Sequence, residues 1–342
     1  MQTIERLPAQ LFGRNPVRSC VKSPLFPFPI VLALAVLAIP APDARADESK
    51  VIELLLDPVD PTRSRTVPLK IYVSTSEKPQ PVILFSHGLG GSREAGTYLG
   101  KHWAEAGYVG VFLQHPGSDS SVWKEAPLGQ RLNVLKAAAS GKAFMDRAGD
   151  VPFVLDLLEK WNADAEHPLH GRLDLEHIGM SGHSFGAKTT QAMMGETFLG
   201  NRDLHEPRID AFLPLSPSIG KRRSPQDSFG GVNVPVLCMT GTKDGSPIDP
   251  STTPESRQQV YAALPLGDKY HLVLDEAEHH AFGDVGPRGR GRIDHHHPAI
   301  QIISTAFWDA YLKGDSTEKA WLQSKTVREK AGLTAKDVWE WK

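Results

Sequence analysis

The pentapeptide Gly182-His183-Ser184-Phe185-Gly186 has the pattern G-x-S-x-G, which carries a serine on a sharp turn between a strand and a helix. A short apolar strand, residues 178–181, precedes it, and the helix-forming run Ala187-Lys-Thr-Thr-Gln-Ala-Met-Met194 follows. A residue on such a turn is strained, so its neighbours must be small. Gly182 and Gly186 let strand and helix pass without a Cβ clash. The Ser184 hydroxyl would then stand at a helix N-terminus, where backbone N–H groups and the helix dipole favour developing negative charge. A serine is a poor nucleophile until a base takes its proton, and a histidine titrates in the right range. Adjacent His279 and His280 leave one strand end in different directions, so only one reaches Ser184. A carboxylate must then fix the imidazole tautomer. Asp244, between the apolar run 235–240 and Gly245-Ser246, is the candidate. The N–H of Phe185 and that of Leu89, in the loop His87-Gly-Leu-Gly-Gly-Ser-Arg-Glu94, would receive an oxyanion. His87 would support that loop.

These residues need a frame. Apolar runs at 51–57, 67–73, 81–86, 108–114, 178–181, 209–215, 235–240 and 270–274 read as strands, the last of them closing the set. Pro68 points to an edge position for the second. Helices are expected over 92–106, 146–161, 255–263 and a closing 298–312. Residues 115–143 read as an irregular excursion whose Trp123 either touches substrate or anchors the loop. Alternating strands and helices imply a largely parallel sheet covered on both faces. Ligands on such sheets sit beyond the C-terminal strand ends, where Leu89, Ser184, Asp244 and His279 all fall.

Composition narrows the function. Residues 1–46 read as a signal peptide: a basic start (Arg6, Arg14, Arg18, Lys22), an apolar run over 30–39, and Ala44-Arg45-Ala46 before Asp47. The run is shorter than the roughly 20 residues of a spanning helix, so no stable span is expected after cleavage. The rival is an uncleaved anchor. Residues 1–46 hold five basic and two acidic side chains, so the formal charge moves from −2 for the whole chain to −5 without them. That acidity argues against a nucleic-acid partner. The remaining 296 residues suit one α/β domain, 47–342. They keep a single cysteine, Cys238, in an apolar run, so no intramolecular disulfide is expected. His295-His-His297 beside Asp294 invites a metal, but adjacent residues rarely face one centre; a solvated helix start is expected, with no metal and no cofactor. The glycine-rich basic run 286–292 reads as a solvated loop.

The order Ser184, Asp244, His279 is that of an α/β-hydrolase triad. Phe85-Ser-His-Gly-Leu-Gly90, Ile178-Gly-Met-Ser-Gly-His-Ser-Phe-Gly186 and the spacing His279-x-x-Phe282 resemble the platelet-activating-factor acetylhydrolase and dienelactone-hydrolase-like serine esterases over about residues 63–313. The resemblance implies the α/β-hydrolase fold and an oxyanion hole at Leu89 and Phe185. There are two departures. Dienelactone hydrolases use cysteine where this chain has Ser184. The acetylhydrolases take their acid from the end of the strand after the serine, where this chain has Leu215-Ser-Pro-Ser218, so the acid moves one strand on, to Asp244. Acetylhydrolase-like and cutinase-like spacings select His279 as base; a dienelactone-type spacing selects His280.

The resulting expectation is an exported, periplasmic or secreted, serine esterase that acts on small-molecule or lipid-like esters through an acyl-enzyme. The alternatives are a cutinase-like polyesterase or lipase, and a non-catalytic binding protein on the same fold. Export is expected to cut between Ala46 and Asp47. N-terminal sequencing of the exported protein would give Asp47 first; a product retaining residues 30–40 means an anchor.

Overall fold

Val82 and Leu84 pack on one side of their strand and Ile83 and Phe85 on the other, all four buried. A strand with both faces apolar belongs inside a sheet covered twice, and the whole architecture follows that rule. The structure, a computed structural model, describes residues 51–198, 200, 203–284 and 292–342. All lie in the compact unit Asp47–Lys342. The proposed leader 1–46 falls outside the described residues, as does all of the basic loop 286–292 except Arg292.

Nine strands form one sheet: β1 (Val51–Leu56), β2 (Leu69–Ser74), β3 (Gln80–Ser86), β4 (Val109–Leu113), β5 (Leu173–His183), β6 (Ala211–Leu215), β7 (Val236–Lys243), β8 (Lys269–Glu278) and β9 (Val338–Trp341). Their order is β1-β2-β4-β3-β5-β6-β7-β8-β9. The six from β4 to β8 in that order are parallel; β2 joins β4 antiparallel, and β1 and β9 close the two ends by antiparallel pairing. The principal helices are α1 (Thr97–Glu105), α2 (Gly141–Ala163), α3 (Phe185–Met193), α4 (Pro254–Ala263) and α5 (His296–Leu312). α2 places Val151, Val154, Leu155 and Leu158 on one face of the sheet with Met180 and Phe212. α1 and α5 cover the other with Leu99, Trp103, Ile303, Phe307 and Trp308. Trp103 and Trp308 meet edge to face at 5.9 Å. Trp308 lies so close over β5 that a Cβ on Gly179 would stand 2.8 Å from its ring. This is the α/β-hydrolase fold. No helix among the described residues is long and apolar enough to cross a membrane.

Several expectations are corrected. β2 is no edge strand: β1 and β4 flank it, and Pro68 precedes its first residue, so the missing N–H costs no ladder bond while the Pro68 carbonyl still accepts from Gln114. The span 115–143 holds short helices at Ser121–Lys124 and Arg131–Ala138, and α2 starts at Gly141 because Ser140 caps it through Ala143 N–H. α1 starts only at Thr97, after Gly96 at φ 81°. β8 runs on through Asp275 and Glu276, with an irregular register against β7 between Leu274 and Glu278; Glu276 sits at φ 61°. Neither β8 nor α5 closes the chain. Helix Ser316–Leu322 and β9 follow, and Trp339 stacks on Tyr270 at 5.8 Å while its indole donates to the Leu322 carbonyl.

Trp339→Ala is expected to lower the unfolding free energy by about 3–5 kcal/mol, as buried Trp truncations do, read as a shifted urea midpoint. An unmoved midpoint would show that β9 contributes nothing to the fold.

Candidate active site

Ser184 stands between β5 and α3 at φ 57°, ψ −112°. That left-handed backbone is costly for a side-chain-bearing residue and persists only where its surroundings hold it. Here the Ser184 N–H donates to the Leu215 carbonyl and its carbonyl accepts from Lys188 N–H. Gly186 explains the packing: a Cβ there would lie 1.8 Å from the Ser86 carbonyl oxygen at the end of β3, and one on Gly182 would lie 2.5 Å from the Gly186 oxygen. The glycines therefore serve the approach of α3 to β3 as much as its approach to β5.

The Ser184 hydroxyl lies 2.8 Å from His279 Nε2, and His279 Nδ1 lies 2.7 Å from Asp244 Oδ1. The three side chains come from turns after β5, β7 and β8, and they form one hydrogen-bonded row. With Asp244 as acceptor, Nδ1 carries the proton and Nε2 is free to accept from Ser184. His280, its ring 5.9 Å from that of His279, makes no bond to Ser184. Burial works to raise the Asp244 pKa, but the hydrogen bond from His279 and the Arg257 charge outweigh it, so the carboxyl sits below its ordinary value. Thr240 Oγ1 donates to the other carboxylate oxygen at 2.8 Å.

Leu89, Ser184 and Phe185 line one cavity of about 170 Å³, together with Ser218, Ile248 and Arg257. The glycine loop is close to the serine: a Cβ on Gly88 would lie 3.5 Å from Ser184 Cβ. Phe185 is the first residue of α3, so its N–H has no intrahelical acceptor. The Leu89 N–H likewise makes no hydrogen bond among the described residues. Trp123 anchors this loop, its indole donating to the Gly90 carbonyl at 2.8 Å. His87 is fully buried inside it: Nδ1 donates to the Gly88 carbonyl, Nε2 accepts from His115 N–H, and burial followed by the Arg147 charge holds its pKa well below the usual value.

Three residues that sequence reasoning passed over organise these parts. Arg257, on α4, donates to the Asp244 carbonyl at 2.7 Å, stands 3.0 Å from its carboxylate, and holds the Ser216 and Pro217 carbonyls at 2.7 and 3.0 Å. His183, beside Ser184, donates from Nε2 to the His279 carbonyl at 3.0 Å; burial pushes its pKa down to about 3, so it remains a neutral donor. Arg147, on α2, is wholly buried beneath the glycine loop. Its Nη1 donates to the His87 carbonyl at 2.7 Å and its Nε to Ser118 Oγ at 2.8 Å, and its guanidinium lies 4.5 Å from the Phe185 ring centre. None has a local signature, since each is a lone side chain brought in from another helix or hidden as the variable position of the motif.

A second hydroxyl–imidazole–carboxylate row lies below: Ser86 Oγ to His115 Nε2 at 2.9 Å, and His115 Nδ1 to Asp150 Oδ2 at 2.9 Å. All three side chains are fully buried, and Arg65 grips Asp150 with two further bonds. This row has the spacing of the first without access to substrate, so it is structural.

The histidine run 295–297 is not the solvated helix start expected. His296 is buried and reaches the Asp275 carbonyl, His295 pairs with Asp337, and His297 stacks on Tyr98 at 3.6 Å and donates to the Ala281 and Gly283 carbonyls. The three rings tie α5 to separate partners. Among the described residues no group of three His, Cys, Asp or Glu side chains is placed to hold a metal. Cys238 is buried in the core, and burial raises its thiol to about 12.

Residues 62–133 match the family model of platelet-activating factor acetylhydrolase, isoform II. A platelet-activating factor acetylhydrolase of Cavia porcellus is 28% identical over 175 residues, covering 43% of this chain and 38% of that protein. The chain thus spans under two fifths of the curated relative it matches. The chain resembles these acetylhydrolases. The family-model match takes in the glycine loop and Trp123 and stops short of Ser184.

Arg147→Met is expected to cost about 1–3 kcal/mol of unfolding free energy, because the buried His87 carbonyl and Ser118 hydroxyl lose their donor. Urea denaturation followed by circular dichroism measures it; an unchanged midpoint would mean that the network does not hold the glycine loop.

Proposed function

We propose that this protein is an exported serine esterase, with Ser184 as nucleophile, His279 as general base and acid, Asp244 as the orienting carboxylate, and the Leu89 and Phe185 N–H groups as oxyanion hole. The observation that carries this reading is the row Asp244–His279–Ser184, with bonds of 2.7 and 2.8 Å, opening on a cavity that Leu89 and Phe185 also line. The resemblance to acetylhydrolases supports ester hydrolysis as the reaction class. Residues 47–342 would form the single catalytic domain, and the mature chain would have neither a membrane span nor a nucleic-acid partner.

In this mechanism His279 Nε2 takes the Ser184 proton as Oγ attacks the ester carbonyl. The carbonyl oxygen becomes an oxyanion facing two N–H donors held by a rigid backbone, so little reorganisation is needed when charge appears. The imidazolium is stabilised by Asp244, and it passes its proton to the departing alkoxide as the C–O bond breaks. An acyl-Ser184 remains. Water enters, gives a proton to His279 and attacks the acyl carbon. Collapse of the second tetrahedral species returns the proton to Ser184 Oγ and releases the acid. No cofactor takes part in these steps. The small volume at Ser184 favours compact groups at the scissile bond itself. The non-catalytic alternative predicts no covalent reaction at Ser184.

Ser184→Ala should abolish hydrolysis of p-nitrophenyl esters, a loss on the order of 10⁶ in kcat, with the circular dichroism spectrum kept. Asp244→Asn should cost up to about 10⁴, since the imidazole is then held in the wrong tautomer. His279→Ala should remove labelling of Ser184 by a fluorophosphonate while His280→Ala retains most of it. Near-normal turnover by Ser184→Ala sinks the assignment, and the reverse labelling pattern moves the base to His280.

A further inference from the structure

Beside the small cavity at Ser184 lies a larger one of about 690 Å³. Lys188, one helical turn after Ser184, lines both. Its ammonium is committed: it pairs with the buried Glu196 at 2.5 Å. Apolar walls come from Phe144, Met145, Phe198 and Leu204. The rim is cationic, with Lys142, Lys221, Arg222 and Arg223. Two of these four are neutralised, Lys142 by Asp146 and Lys221 by Asp249, at 2.7 and 2.8 Å. The two arginines are not. Arg222 is exposed and makes no hydrogen bond or ion pair among the described residues. Arg223 donates only to the Asp227 carbonyl, and its buried Nε has no partner. A buried donor left unpaired is unfavourable, so the site is one an acceptor would complete. These uncompensated cations occur in a chain whose formal charge is −2 overall and −5 without residues 1–46, so the local field opposes the global one.

We propose that this cavity is a substrate subsite for an ester with an apolar arm that ends in an anionic group. The arm packs on Phe144, Phe198 and Leu204, and a terminal carboxylate is received by Arg222 and Arg223. Guanidinium groups suit this task because their planar forks bind carboxylates through two parallel hydrogen bonds. The apolar wall alone would accept any chain; the rim makes selection by charge. The inference rests on the esterase reading, since it assigns the arm of the ester whose carbonyl meets Ser184.

The test compares kcat/KM for matched pairs of esters. One pair carries the charge on the acyl arm: mono-p-nitrophenyl suberate against p-nitrophenyl octanoate. The other carries it on the alcohol arm: 8-acetoxyoctanoate against octyl acetate, all below their aggregation concentrations. The charged member of at least one pair is expected to be preferred by about tenfold or more, the scale of one charge-assisted hydrogen bond. In the Arg222→Gln/Arg223→Gln double variant the charged-to-neutral ratio should fall to near one, and in the unsubstituted protein it should shrink with added salt. Ratios near one in both pairs, with the neutral esters turned over, overturn the subsite and leave the esterase reading standing. A preference that survives in the double variant also overturns it. Absence of turnover of all four esters together with absence of fluorophosphonate labelling overturns the esterase reading itself.

Discussion

The approach of Gly186 to the end of β3 is the constraint on which the rest of the site depends. With 1.8 Å between the position of a Cβ and the Ser86 oxygen, no other residue fits without displacing a strand. The contact draws α3 against β3 and β5 at once. It leaves Ser184 the single residue in which to reverse the chain, at φ 57°. Because β3 then runs directly into His87-Gly88-Leu89, the same contact sets the glycine loop beside the serine. Hydroxyl and loop are thus positioned by one piece of backbone packing.

Such packing needs support from beneath the glycine loop. Arg147 provides it with hydrogen bonds to the His87 carbonyl and Ser118, and with its face against Phe185. A buried guanidinium is expensive unless its donors and charge are matched. Asp150 supplies the opposing charge and is itself held by Arg65 and His115. The network joins β3, β4 and α2. The buried Ser86–His115–Asp150 row within it has distances close to those of the Ser184 row, so hydrogen-bond geometry alone does not tell the two rows apart. Access does: Ser184 opens on a cavity and Ser86 is fully enclosed.

On the carboxylate side, one arginine does the positioning. Arg257 gathers the Ser216 and Pro217 carbonyls, the Asp244 carbonyl and the Asp244 carboxylate, and so joins the ends of β6 and β7 to α4. Ser216, at φ 57°, stands at the turn after β6 where the acetylhydrolase pattern would have its acid. Its carbonyl meets a cation there, and the carboxylate comes from the next strand. A buried negative charge beside β7 needs such a partner to remain ionised.

The residue types at the site were legible in the sequence where the chemistry is local. A serine between two glycines after an apolar run implies a turn whatever surrounds it, and an aspartate or histidine after an apolar run implies a strand end facing the ligand side. Ser184, Asp244 and His279 could be read this way because their positions depend on backbone behaviour within a few residues. The parallel sheet was legible for the same reason, through runs apolar on both faces. The short strand β9 was not, because four residues with only Trp339 buried are too few to show a period. The extension of β8 through Asp275 and Glu276 was hidden by its polar residues. The roles of Arg147, Arg257 and His183, and the divergence of His295, His296 and His297, were decided by tertiary structure alone. A buried charge is identified by the groups that receive its hydrogen bonds, and these lie tens of residues away along the chain: the His87 carbonyl is 60 residues from Arg147 and the Ser216 carbonyl 41 from Arg257. Only the folded sheet with its helices packed on it brings them within hydrogen-bonding distance.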